Sequence, residues 1–122
     1  MADEISITGS MRLENGNDSM QKSFSFNADQ SAVGGPSPGT LLVGTSQEAV
    51  TPSDITSQGF VYFKNLDTVN FIEVGVEVSA TFYPVIKLLP GEAVAVRLSP
   101  SVALFAKADT AAARLEAQIF EA

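Results

Sequence analysis

Cysteine, histidine and tryptophan are all missing from this 122-residue chain. Without cysteine there is no disulfide framework, thiol nucleophile or cysteine metal site, and no signal for the redox compartment. Without histidine, the Ser-His-Asp triad, the Cys-His dyad and the common zinc sets cannot be assembled from this chain. Positive charge is also scarce. Seven basic residues face fourteen acidic ones, and the net charge of −7 has the wrong sign for holding nucleic acid through its phosphates. The basic residues Arg12, Lys22, Lys64, Lys87, Arg97, Lys107 and Arg114 are scattered, so no run of them points to an anionic membrane. No apolar run approaches the length of a membrane span, and residues 1–6 lack the basic and apolar regions of a signal peptide. These absences predict a chain made and kept in the cytoplasm unless an assembly carries it elsewhere. It is expected to need no cofactor, to bind neither nucleic acid nor membrane directly, and not to be an enzyme.

What is present reads as β structure. The length fits one domain spanning residues 1–122, able to bury roughly 65% of its unfolded surface without a metal or disulfide staple. From Ile5, the positions Ile5, Ile7, Gly9, Met11 and Leu13 alternate with Ser6, Thr8, Ser10, Arg12 and Glu14, the period-two signature of a half-buried strand. Asn15-Gly16 supplies a tight turn, and alternation resumes through Met20, Lys22, Phe24 and Phe26, completing a β-hairpin. Residues 28–44 change character, with Gly34-Gly35-Pro36-Ser37-Pro38-Gly39 at their centre. Helix and ladder are both broken by such residues, so 28–56 is expected to be a loop-rich region. It reads either as an arm that orders against a neighbouring subunit or as an ordinary surface loop. A short strand at Glu48-Ala49-Val50 interrupts it.

Downstream the β signal strengthens, with aromatic and β-branched residues over 59–64, a turn at Asn65-Leu66-Asp67, and alternation from Phe71 to Val78 that sets Glu73 and Glu77 on a wet side. Thr81–Leu88 and Glu92–Leu98 form a second hairpin around Pro90-Gly91, a pair suited to a type II turn. Pro84 cannot donate to a ladder, which predicts that its strand lies at a sheet edge or contains a bulge at Pro84. Near the C-terminus, Asp109-Thr110 resembles a helix cap before an alanine-rich run. The alternation of Ala113, Leu115, Ala117 and Ile119 favours a strand instead. Eight or nine short strands at regular spacing predict an all-β, antiparallel β-sandwich, jelly-roll-like, with a long Gly/Pro-rich loop.

Few side-chain groups invite chemistry. Glu73 and Glu77 would lie roughly 13 Å apart along one strand, too far for paired glycosidase carboxylates. Asn65, Asp67 and Asn70 offer oxygen ligands near one turn, but the spacing and terminal glutamate of an EF-hand are absent, and Asn and Asp are ordinary turn formers. Tyr62 and Tyr83 are the amphipathic aromatics a sugar platform would use, though packing explains them equally well.

Five stretches carry a resemblance: Phe63-Lys64-Asn65-Leu66-Asp67, Asn70-Phe71-Ile72-Glu73-Val74-Gly75, Phe82-Tyr83-Pro84, Leu89-Pro90-Gly91-Glu92 and Ala106-Lys107-Ala108-Asp109-Thr110-Ala111. Together they make the C-terminal half similar to a group of small β-rich proteins encoded among the structural genes of tailed bacteriophages. The resemblance extends loosely to the opening hairpin and, over residues 28–56, only to richness in loops. It implies a non-enzymatic virion component, in first place a capsid decoration or cement protein that stabilises the shell through subunit contacts. A tail or tail-fibre accessory protein and a carbohydrate-binding adhesin module are the alternatives. The expected partners are the major capsid protein or a tail protein, and a homo-oligomer is expected. Partner contacts are assigned to Gly34, Gly35, Pro36 and Pro38 in the arm and to Phe82, Tyr83 and Pro84 at the edge, with a core role for Phe82 as the competing reading.

Overall fold

Residues 4–30, 35–50, 52, 55 and 57–121 are described in the computed structural model of the chain. They form ten strands and no helix, and every strand pairing is antiparallel. The chain divides into two compact units, residues 1–32 with 122, and residues 33–121.

The first unit is the predicted hairpin, β1 (Ile5–Asn15) against β2 (Asp18–Ala28), in unbroken register from Ile5↔Ala28 to Asn15↔Asp18. Its connecting residues are Gly16 and Asn17, one step beyond the Asn15-Gly16 pair read from the sequence. Gly16 has φ +60°, as the first central position of a primed hairpin turn requires.

The second unit contains two four-stranded sheets. One has the order β3-β10-β5-β8, built from β3 (Ser37–Val43), β10 (Ala113–Phe120), β5 (Phe60–Asn65) and β8 (Ala93–Arg97). The other has the order β4-β9-β6-β7, from β4 (Glu48–Ala49), β9 (Phe105–Ala108), β6 (Ile72–Val78) and β7 (Thr81–Leu88). Both sheets feed one apolar cluster: Val43, Val61, Phe63, Leu115 and Ile119 from the first meet Ile72, Val74, Leu88 and Ala106 from the second. Each fully buried Val, Leu, Ile or Phe among them contributes about 1.5–3 kcal/mol relative to exposure. The second hairpin expected from the sequence does not form as a strand pair: the chain passes from one sheet to the other at Pro90-Gly91, so that β7 pairs with β6 and β8 with β5.

Residues 37–43 are a strand where the sequence reads as loop. The cause is tertiary: β10 offers a ladder from Ala113↔Val43 to Ile119↔Ser37, and at a sheet edge the missing donor of Pro38 and the missing side chain of Gly39 are tolerated. The long Gly/Pro-rich loop is correspondingly shortened at its centre. Residues 113–120 are a strand, and Ala113, Leu115, Ala117 and Ile119 are buried as their alternation predicts.

Pro84 satisfies both of its predicted conditions. β7 is an edge strand, and its register against β6 shifts between Val74 and Gly75, leaving Val85 as the extra residue of a bulge. Gly75 lies opposite Pro84, and a Cβ there would stand 2.0 Å from the Tyr83 carbonyl oxygen, so only glycine lets the bulged backbone come this close. The turn at Pro90-Gly91 forms as expected, with Gly91 at φ +83° and Glu92 N–H donating to the Leu89 carbonyl at 2.9 Å.

Candidate functional site

Sequence alternation dictates what the opening hairpin presents. Residues opposite one another on an antiparallel pair point to the same face. The register therefore gathers Ile5, Ile7, Gly9, Met11 and Leu13 with Ala28, Phe26, Phe24, Lys22 and Met20 on one side. Serine, threonine, asparagine, glutamine and the Arg12–Glu14 ion pair occupy the other. The polar side explains itself, but beyond the buried Ile5 and the half-buried Ile7, Met20 and Ala28 the apolar one remains in water: Met11 is 67% exposed, Leu13 51%, Phe24 53% and Phe26 46%. The Phe24 and Phe26 rings stack at 6.5 Å between centroids, and the Phe24 ring lies over Gly9, filling the place a side chain would take. The sequence reading of a half-buried strand with one wet face is thus corrected here, since most of both faces is wet. Arg12 and Lys22 balance Glu14 and Asp18, so residues 5–28 carry no net charge in a strongly acidic chain.

The predicted contact residues fall in two places. Gly34 lies outside the described residues. Gly35 approaches β10 of its own chain so closely that a Cβ would stand 2.3 Å from the Ile119 carbonyl oxygen, Pro36 is exposed, and Pro38 is half-buried within β3. On β7, Phe82 is half-buried while Tyr83 and Pro84 are exposed at the edge. Sequence reasoning did not single out the hairpin face, although its signal was present as an apolar alternation interrupted only by Lys22.

The oxygen-rich turn after β5 is occupied by its own backbone. Buried Asn65 donates through Nδ2 to the carbonyls of Asn70 and Leu88, both at 2.9 Å, and its Oδ1 accepts from Asp67 N–H. Asp67 Oδ2 accepts from the N–H groups of Asn70 at 2.6 Å and Val69 at 3.0 Å, which hold its carboxyl below the ordinary aspartate value. Thr110 Oγ1 donates to Asn70 Oδ1 at 2.8 Å. These side chains close a turn and tie β5, β7 and the β9–β10 connection together.

Glu73 and Glu77 do not form a carboxylate pair. Glu73 lies in register between Lys87 and Lys107, and Glu77 accepts from Gln47 Nε2 at 3.3 Å. A cavity of about 270 Å³ opens among Val50, Pro52, Ile55, Gln58, Val102 and Leu104, and among the described residues no charged side chain lines it. Gln58 Nε2 donates to the Val102 carbonyl there. Among the described residues no group of three or more His, Cys, Asp or Glu is placed to hold a metal ion. No family model, curated protein or solved structure matches the chain.

Proposed function

We propose that the protein is a non-enzymatic structural component of a tailed-bacteriophage virion, acting as a decoration or cement protein on the capsid. The observation that carries this reading is the exposed apolar face of the β1–β2 hairpin, centred on Met11, Phe24 and Phe26. A two-stranded hairpin is at best marginally stable in water by itself, so a surface that covers this face stabilises both partners. Apolar contacts of this kind, repeated over many symmetric copies, bind the assembled shell in preference to its free subunits and so favour assembly by mass action.

The body supports the same reading as a jelly-roll sandwich. Its strands from β3 to β10 distribute as two four-stranded sheets in the orders β3-β10-β5-β8 and β4-β9-β6-β7, an eight-stranded double-sheet arrangement of the jelly-roll kind. The exposed Tyr83-Pro84 edge is a second, smaller contact surface in this proposal.

Quantitative mass spectrometry of purified particles, with DNA-filled heads separated from detached tails, tests the assignment. Hundreds of copies on heads, lost when Phe24→Ser and Phe26→Ser are combined, is the expected result. Retention only on tails moves the protein to the tail or tail-fibre apparatus, and absence from both defeats the virion assignment.

A further inference from the structure

Four strands lie at sheet edges in the 33–121 unit: β3, β8, β4 and β7. An unguarded edge invites another strand, and proteins blunt edges with proline, bulges or very short strands. β3 carries Pro38, β4 is two residues long, and β7 carries Pro84 and the bulge at Val85. β8, Ala93-Val94-Ala95-Val96-Arg97, has none of these devices and is exposed at four of its five residues. Its one charged side chain is drawn away from the edge: the Arg97 guanidinium lies 4.3 Å from the centroid of the Phe60 ring on the neighbouring strand.

The direction of its free backbone groups follows from the bonds it already makes. Asn65 N–H donates to the Glu92 carbonyl at 3.0 Å, and Leu98 N–H donates to the Gly59 carbonyl at 2.7 Å. Because hydrogen-bonded and non-bonded residues alternate along an antiparallel strand, Glu92, Val94, Val96 and Leu98 turn their backbone groups toward β5. Ala93, Ala95 and Arg97 turn theirs outward.

We infer that β8 is a self-association edge, pairing antiparallel with β8 of a second copy about a two-fold axis through Ala95. The occupant is a second copy because this strand is complementary to itself. With the axis at Ala95, all three outward-facing residues fall into hydrogen-bonded pairs, Ala95 with the partner's Ala95 and Ala93 with the partner's Arg97. On the core-side face, Val94 meets the partner's Val96, covering a side chain that is 38% exposed in the single chain. On the other face the pairs are alanine with alanine and alanine with the retracted arginine, so no like charges oppose one another across the seam. The two β3-β10-β5-β8 sheets become one sheet of eight strands. This inference does not rest on the virion assignment, and its test uses purified protein without particles.

The absence of native cysteine makes the register measurable. Residues in a hydrogen-bonded antiparallel pair have Cα atoms about 5.5 Å apart, within disulfide range. In full-length protein under mild oxidation, Ala95→Cys is expected to give a disulfide-linked dimer on a non-reducing gel. Ala93→Cys, whose two copies would lie several residues apart along the seam, is expected not to. Sedimentation velocity of the unmodified protein should show a concentration-dependent dimer, and Ala95→Lys should weaken it about fivefold or more by setting like charges directly opposite. A protein that stays monomeric at millimolar concentration overturns the inference, as does equal cross-linking of the two cysteine variants. It also fails if the dimer resists Ala95→Lys but is lost in the Phe24→Ser, Phe26→Ser double variant, which would locate association on the hairpin. If Ala95→Lys does not fold, the pair of cysteine variants still decides the matter.

Discussion

Asp67 is the residue whose ionisation is most plainly built into the fold. Backbone N–H groups of Asn70 and Val69 point at its carboxylate, so the charged form is favoured in the folded chain and its pKa is lowered from 3.8. The unfolded chain then binds the proton at higher pH than the folded one. The carboxylate's contribution is complete above the ordinary aspartate value and disappears as pH falls through the lowered folded value. Asp67→Asn should therefore lower the urea midpoint at neutral pH, and the gap to the unmodified protein should close as the solution is acidified through that window. A gap that stays constant with pH would assign the effect to shape instead of charge. Asn65, Asp67 and Asn70 were legible in sequence as turn formers or as ligands, and composition alone could not choose between them. The choice lies in the backbone donors and acceptors that the turn brings to each side-chain atom, among them the carbonyl of Leu88 from β7.

Gly75 shows how one strand constrains its neighbour. Alanine there would push a Cβ into the backbone of Tyr83 and Pro84, where no flexible side chain can yield. Gly75→Ala should cost about 1–3 kcal/mol, the usual range for forced overpacking, read as a lower denaturant midpoint with an unchanged slope. An unchanged midpoint would mean that the bulge is not fixed as described. Much at this level was readable beforehand: the period of two in β1, β2, β6 and β10, the edge position of Pro84, and the Pro90-Gly91 turn all follow from local rules. β3 was not readable, because the residues that make Ser37–Val43 a strand are those of β10, far away in the chain. The exposure of the hairpin was hidden for a related reason. Periodicity reports that a strand has an apolar side, and it is silent on whether anything covers that side. Phe60 illustrates the converse: it lies on the opposite face of β5 from Val61 and Phe63 yet is 2% exposed, with Phe120 and Arg97 packed on it.

The two units of the molecule differ in how they are held. Stability is distributed unevenly where buried contacts are few, and the strands of 5–28 are exposed over most of their length whereas 60–65 and 113–120 supply the core. Hydrogen exchange followed by mass spectrometry should find amides of 113–120 protected roughly a thousandfold or more beyond those of 5–28 in the free protein. Equal protection would mean that the chain opens as a single cooperative body. The position of β10 also governs the order of events during synthesis. It lies between β3 and β5, so neither of those strands has its central partner until residues 113–120 have been translated. Pairings between distant parts of a chain form slowly and leave unpaired strands open to aggregation meanwhile. A nascent chain stalled before Ala113 would hold Val61, Phe63 and Val43 without the Leu115 and Ile119 that seal them, which makes the translation of residues 113–120 the moment at which this unit either folds or is lost to a neighbour on the same polysome.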